Sequence, residues 1–192
     1  MPRWRATLVV ALAGLLGPAA ATLAAVDPGA ATAPRLEFTP PRPGTYTLQR
    51  IQQVADATLL DPAGRLTRLS AVTTSKITLL TFFYTYCADP LGCPFAYQVL
   101  TDVRSNVLRD TNLARQVRFV SVSLDPTTDT PAAIGRYRKM VTGDSGLEWD
   151  VLTAASVREL LPVLSDFGQD VSVERAPDGT ARRTLHHMLK VF

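Results

Sequence analysis

The sequence predicts one α/β domain in which helices cover both faces of a mixed sheet. Two runs of apolar, β-branched and aromatic residues, 76–84 (KITLLTFFY) and 117–124 (VRFVSVSL), are typical of strands buried on both faces. Each run is followed by a segment whose apolar residues recur at helical spacing. Strands that alternate with helices favour a sheet covered on both sides, and 192 residues are enough for a single core of this kind.

Two groups of turn residues predict β-hairpins. Asp61-Pro62-Ala63-Gly64 lies between two short apolar stretches near the start of the domain, and Pro177-Asp178-Gly179 lies near its end. The strands that flank these turns are predicted at 58–60, 66–69, 171–174 and 184–192. Because residue 192 falls inside a predicted strand, we expect the natural protein to continue beyond it.

Prolines and capping residues define the helices. Pro94 and Pro131 stand where a first helical turn tolerates proline, and Asp129 or Thr130 is a suitable cap for the second of these helices. The predicted helices span 94–108, 131–141 and 155–167, with a further strand at 147–152.

The N-terminal segment predicts export. Arg3 and Arg5 precede an uncharged run over 6–26 that contains small residues suited to cleavage near Ala21 or Ala25. We interpret 1–25 as a signal peptide, with a membrane anchor as the alternative. Residues 26–48 are rich in Pro, Ala and Gly and predict a flexible tether. The domain itself is predicted over 49–192, outside the cytoplasm.

The charge of the chain argues against nucleic acid as a partner. The net charge is +3, and without the two arginines of the leader it would be about +1. No run of basic residues remains that could neutralise a series of phosphates.

The chain has only two cysteines, Cys87 and Cys93, at the junction of a buried strand and a helix. Cys93 precedes Pro94, and a helix N-terminus stabilises a thiolate, so we expect a thiolate there. Two adjacent soft thiolates bind Cu(I) or form a disulfide, and their presence alone does not decide between metal binding, redox exchange and a structural disulfide.

The chain also has only two histidines, His186 and His187. They are adjacent on a predicted strand, so their side chains point to opposite faces and only one of them can join the cysteines. Periodicity does not show whether this strand lies beside the cysteines.

Four motifs in order give the chain a resemblance to the Sco/SenC family. TFFYTYC leads into a Cys-Pro that begins a helix, and VSLDPTTDTP is similar to the family's D-P-x-x-D-T-P loop. Trp149 to Thr153 resembles the family's W-x-x-L-T strand. LHHMLKVF resembles the strand that bears its metal-binding histidine, and the spacing to Phe192 selects His187. The match covers roughly residues 60–192.

This resemblance implies a thioredoxin-like fold and copper bound by Cys87, Cys93 and His187. It implies a monomeric, exported metallochaperone that delivers copper to an enzyme such as cytochrome c oxidase, at its Cu(A) centre. Asp125, Asp129 and Asp89 match acidic positions of the family motifs, and we interpret Asp129 as a helix cap. This chain has five residues between the cysteines, where most family members have three. Closing the longer loop costs only slightly more entropy, so a chelate is still feasible.

Four other functions are compatible with these residues. A thiol–disulfide oxidoreductase that uses Cys87 and Cys93 to reduce an exported partner is the main alternative. A zinc site of two Cys and one His, a peroxidase and a binding module with a structural disulfide are the others. The peroxidase is disfavoured because Thr85 stands two residues before Cys87, whereas the T-x-x-C frame needs it three residues before.

Overall fold

The computed structural model describes residues 39, 41–87, 89, 92–142 and 146–192. These residues form seven strands: β1 Thr58–Leu60, β2 Leu66–Arg68, β3 Ile77–Phe83, β4 Val117–Ser123, β5 Trp149–Leu152, β6 Val171–Arg175 and β7 Ala181–His187. The same residues form five helices: α1 Leu69–Thr73, α2 Cys93–Val107, α3 Thr111–Gln116, α4 Pro131–Thr142 and α5 Val157–Asp166.

The central sheet is mixed, as the sequence predicts. β3, β4 and β5 run parallel with β4 in the middle, and their register aligns Leu79, Phe119 and Trp149. Antiparallel segments extend both edges. Leu60 exchanges backbone hydrogen bonds with Thr153, and Phe192 exchanges two with Leu80, both of 2.9 Å.

Helices cover both faces of this sheet because neighbouring residues of a strand point to opposite sides. The ring of Phe83 stacks on Tyr137 of α4, with ring centroids 4.4 Å apart. The ring of Phe82 instead meets Phe167, just after α5, with centroids 5.6 Å apart. The predicted α/β architecture, with a central mixed sheet between helices, is therefore confirmed.

Both predicted hairpins are present. β1 pairs with β2 and β6 pairs with β7, each antiparallel. The Asp61 carboxylate accepts hydrogen bonds from the backbone N–H groups of Ala63 (2.8 Å) and Arg65 (2.9 Å), which closes the first turn. Gly179 has a φ of 85°, a conformation that favours glycine, in the second turn.

The last strand differs from the prediction of a strand over 184–192. β7 ends at His187, which pairs with Val171, the first residue of β6. Beyond that point β6 offers no backbone partner, so Val191 and Phe192 pair with β3 instead. The chain thus leaves one sheet directly after His187 and joins another.

Two short helices were not predicted. α1 has five residues and α3 has six, which is too short for an apolar periodicity to be recognised. The side chain of Asp110 caps α3 by accepting hydrogen bonds from the N–H groups of Asn112 and Leu113. This capping aspartate was the only sequence feature that could have indicated α3.

The predicted leader, 1–25, and most of the predicted tether, 26–48, lie outside the described residues. Both therefore remain predictions. Within the described part of the chain, no helix has the length and apolar character that crossing a membrane requires.

Phe119 lies at the centre of the core, with no exposed surface and its ring 4.9 Å from that of Trp149. We expect Phe119→Ala to lower the free energy of unfolding by about 3–5 kcal/mol, because it leaves a cavity in a closely packed interior. Urea unfolding measures this. The control is Leu66→Ala in β2, where the side chain is 75% exposed and the expected change is within about 0.5 kcal/mol. Equal losses in both variants would contradict the assigned core.

Candidate metal centre

Cys87 and Cys93 lie at the carboxyl edge of the parallel strands, where α/β folds build their sites. Cys87 is half-buried in the segment after β3, and Cys93 is the buried first residue of α2. Both are free thiols, and the backbone N–H of Cys93 donates a hydrogen bond to Sγ of Cys87 over 3.4 Å. Gly92 fits this close approach, since a Cβ there would lie 3.1 Å from Sγ of Cys87.

His187 joins this pair from the far end of the chain. Its Nε2 lies 4.0 Å from Sγ of Cys93, and its ring centroid is 5.9 Å from that of Tyr84. The hydroxyl of Tyr84 donates a hydrogen bond to the carbonyl of Leu185 over 3.3 Å, which ties β7 to the end of β3. His186 is exposed. The structure thus brings Cys93 and His187 together across 94 positions of sequence.

The distance between Cys93 and His187 fits two ligands of one metal ion. With metal–sulfur bonds of about 2.3 Å and metal–nitrogen bonds of about 2.0 Å, such atoms lie within about 4.3 Å of each other. Among residues 39, 41–87, 89, 92–142 and 146–192, however, no three His, Cys, Asp or Glu side chains are arranged to hold a metal as they stand. A site with three protein ligands therefore requires side-chain movement on binding.

The two thiols differ in acidity, in the opposite sense to the sequence expectation. Burial, reinforced by the neighbouring Cys87 sulfur, raises the pKa of Cys93 to about 12. Burial also acts to raise the pKa of Cys87, but the proximity of the Tyr84 hydroxyl and the hydrogen bond from the Cys93 N–H outweigh it and lower that pKa. The helix N-terminus thus stabilises the thiolate of Cys87, since it is Cys87 that accepts the Cys93 N–H.

His187 is suited to act as a neutral ligand. Burial lowers the pKa of its imidazole, against a smaller effect of its contact with the carbonyl of Met188. Nδ1 lies 3.3 Å from that carbonyl oxygen. A hydrogen bond from Nδ1 leaves Nε2 with a free lone pair towards Cys93. Two sulfurs and one neutral imidazole nitrogen form a soft donor set that suits Cu(I), and zinc also accepts it.

The prediction that Asp129 caps α4 is wrong. Its side chain is fully buried and accepts hydrogen bonds from Thr85 and Ser123 instead. The hydroxyl of Thr130, the other candidate, accepts from the N–H of Ala133 over 3.4 Å. Burial raises the pKa of the Asp129 carboxyl although these hydrogen bonds oppose the shift.

Asp89 is exposed between the cysteines, and its backbone carbonyl accepts a hydrogen bond from the N–H of Gly92 over 2.9 Å.

Sequence reasoning missed the contribution of the residues directly before Cys87. Tyr84, Thr85 and Tyr86 each bond to a different part of the site: to β7, to Asp129 and to Asp125, respectively. The available indication was a run of hydroxyl-bearing residues at the end of a strand that is otherwise apolar.

A cysteine pair at the junction of the first central strand and its helix, faced by a histidine from a C-terminal hairpin, defines a thioredoxin-like domain with a candidate metal site. The family model described as SCO1/SenC matches residues 47–191. The chain therefore belongs to the SCO1/SenC family. The resemblance inferred from the four motifs is confirmed.

Solved structures support the same thioredoxin-like fold. Apo Sco1 from Thermus thermophilus is 28% identical, with a TM-score of 0.56 over 76% of this chain and 77% of that one. ScoI from Bradyrhizobium japonicum, with copper bound, is 22% identical, with a TM-score of 0.57 over 72% and 80%. BsSco, described with a disulfide switch, is 22% identical, with a TM-score of 0.51 over 73% and 83%. Among curated proteins, no sequence match is found.

Proposed function

We propose that this protein binds copper through Cys87, Cys93 and His187 and delivers it to a copper enzyme. The observation that carries the proposal is the 4.0 Å separation of Cys93 Sγ and His187 Nε2, beside a second thiol, in a domain of the SCO1/SenC family. Sulfur and imidazole ligands select Cu(I) over hard cations.

The family supports copper as the cargo and an oxidase as the recipient. ScoI of Bradyrhizobium japonicum is described with copper bound, and BsSco as a member of a family of cytochrome c oxidase assembly proteins. We extend both properties to this chain. The proposed recipient is a Cu(A)-type centre of an oxidase subunit, and the proposed location is outside the cytoplasm, after export directed by residues 1–25 or tethered by them. The proposed state is a monomer.

A Cu(I) titration of the reduced protein against a competing chelator tests the site. We expect one tightly bound copper per chain. His187→Ala should weaken binding by at least about 100-fold, because it removes one of three ligands, a larger change than altering a residue behind a ligand, while both thiolates remain. The matched control is His186→Ala, at the adjacent exposed position, which should leave the affinity unchanged.

Two results would contradict this assignment. Equal effects of the two histidine substitutions would remove His187 from the ligand set. Tighter binding of zinc than of Cu(I) in the same competition would assign the site to zinc, which accepts two Cys and one His with water.

A second function, thiol–disulfide exchange with an exported partner, is favoured by the contact between the two cysteines. The N–H of Cys93 holds Sγ of Cys87, whose lowered pKa makes it the better nucleophile of the two. In this function Cys87 attacks the partner disulfide and Cys93 resolves the mixed disulfide. His187→Ala discriminates between the functions, because it should hardly change the reduction of a model disulfide but should weaken copper binding.

A further inference from the structure

The segment that leads from β3 into Cys87 is a tight turn. The N–H of Cys87 donates to the carbonyl of Tyr84 over 3.3 Å, so Thr85 and Tyr86 occupy the two central positions of the turn. The position of Cys87 therefore depends on what holds these two residues.

Both central residues are held by aspartates of the loop that follows β4. The carboxylate of Asp129 accepts hydrogen bonds from the Thr85 N–H (3.1 Å) and the Thr85 hydroxyl (2.5 Å). The carboxylate of Asp125 accepts one from the Tyr86 hydroxyl (2.6 Å). The turn is thus fastened through both the backbone and the side chains.

The two aspartates are also joined to each other. Ser123 donates its hydroxyl to Asp129 over 2.6 Å and accepts the N–H of Asp125 over 3.0 Å. The N–H of Asp129 donates to the carbonyl of Asp125 over 2.8 Å. The loop therefore forms one rigid support whose base is the buried end of β4.

The burial of the Asp129 carboxylate beside the end of β4 is energetically unfavourable. Its side chain has no exposed surface, and within the described part of the chain no Lys or Arg forms an ion pair with it. A buried carboxylate without a cation is unfavourable unless hydrogen bonds compensate. The donors that compensate for it here come from Thr85 and Ser123, and Thr85 lies only two residues before Cys87.

We propose that Asp129, assisted by Asp125, is a positioning residue that holds the turn at 84–87 and so fixes Cys87 against Cys93. On the other side of Cys87, the N–H of Cys93 donates a hydrogen bond to its Sγ over 3.4 Å. The support from β4 holds the turn that carries this sulfur and so sets the separation of the sulfurs. The importance of this separation for copper rests on the proposed function, but the positioning is measurable without any metal.

The test is the disulfide equilibrium of the full chain in a glutathione buffer. Cys87 and Cys93 each lose a hydrogen and form one S–S bond, while oxidised glutathione takes up two electrons and two protons to give two molecules of reduced glutathione. The equilibrium constant reports the effective concentration of one thiol at the other. We expect Asp129→Ala to lower it by about tenfold, the effect of a lost hydrogen bond to a charged group.

Two further variants separate positioning from general destabilisation. Asp129→Asn keeps an oxygen for Thr85, so its equilibrium constant should stay within about threefold of the unaltered protein. Ile134→Ala removes a fully buried side chain of α4 and should lower the melting temperature without changing the equilibrium constant.

Each outcome decides the matter. A tenfold decrease in Asp129→Ala with no change in Ile134→Ala supports the positioning role, whether or not the protein binds copper. If the equilibrium constant for the disulfide changes equally in Asp129→Ala and Ile134→Ala, or in neither, the positioning role is overturned and the copper proposal is left intact. If Asp129→Ala does not fold, Thr85→Val, which removes the hydroxyl donor, takes its place: about a threefold decrease supports the role, and no change overturns it.

Discussion

Cys93→Ser is expected to reduce Cu(I) affinity by at least about a thousandfold. The substitution replaces a soft thiolate ligand with a hard, neutral hydroxyl. The resulting decrease in affinity should exceed the 10- to 100-fold decrease that follows from altering a residue behind the ligands. Serine is close to cysteine in size, so the buried N-terminus of α2 should keep its packing. Chelator competition measures the affinity, and circular dichroism checks the fold.

Cys87→Ser should give a loss of the same order, and Met140→Leu serves as the matched control. Met140 exposes 71% of its surface on α4, so its substitution removes an accessible sulfur that is not part of the proposed site. Nearly unaltered copper affinity in either cysteine variant would contradict the proposed ligand set. A comparable loss in Met140→Leu would show that copper binds to sulfur non-specifically.

Copper affinity is expected to increase steeply with pH. The pKa of Cys93 is raised to about 12, so this residue is a thiol throughout pH 6–9 and must release its proton when copper binds. One released proton strengthens binding by about tenfold per pH unit. Below its own lowered pKa, Cys87 adds a second proton and brings the slope towards about 100-fold per unit.

The direction of this dependence follows from the ligands being anionic when bound. Protons compete with copper, so affinity falls as the pH falls. His187 contributes little near neutral pH, because burial lowers its pKa and the imidazole is already neutral. Competition titrations at pH 6, 7, 8 and 9, each with a chelator calibrated at that pH, measure the slope. An affinity that is constant across this range would contradict binding by these two thiols.

Local sequence patterns were sufficient for the main elements of the fold. The apolar run at 76–84 became β3, and the turn residues at 61–64 and 177–179 became the two hairpin turns. These features depend on neighbours in sequence, which is what periodicity reports. The end of β7 was mispredicted because it depends on where β6 begins, and that is a property of the partner strand.

The proximity of Cys93 and His187 could not be derived from periodicity. These residues are 94 positions apart, and only tertiary packing brings β7 to the end of β3. The family motifs supplied this pairing instead. The acidity of the two thiols could not be predicted from the sequence either, because it depends on the burial of Cys93 at the start of α2 and on which sulfur accepts its N–H.

Asp129 shows the same limit at a single residue. Its place directly before Thr130 and Pro131 satisfies the sequence rule for a helix cap. The side chain instead accepts hydrogen bonds from Thr85, which follows β3 and is 44 positions away in the sequence, so no pattern of neighbouring residues reveals this contact. Whether such an aspartate caps a helix or supports a distant turn depends on which hydrogen-bond donors the fold places beside it.

The hairpin that carries His187 has a consequence for how fast a bound ion is exchanged. Within the described residues, β6 and β7 pair only with each other, whereas Cys93 begins a helix of the central core. A two-stranded hairpin opens at a lower free-energy cost than a core element. If copper is bound as proposed, His187 would therefore be the ligand that dissociates before the two cysteines, and its departure would open the site to an acceptor protein. The rate of copper transfer would then depend on how often the β6–β7 hairpin opens, whereas the copper affinity would depend mainly on the cysteines held by the core.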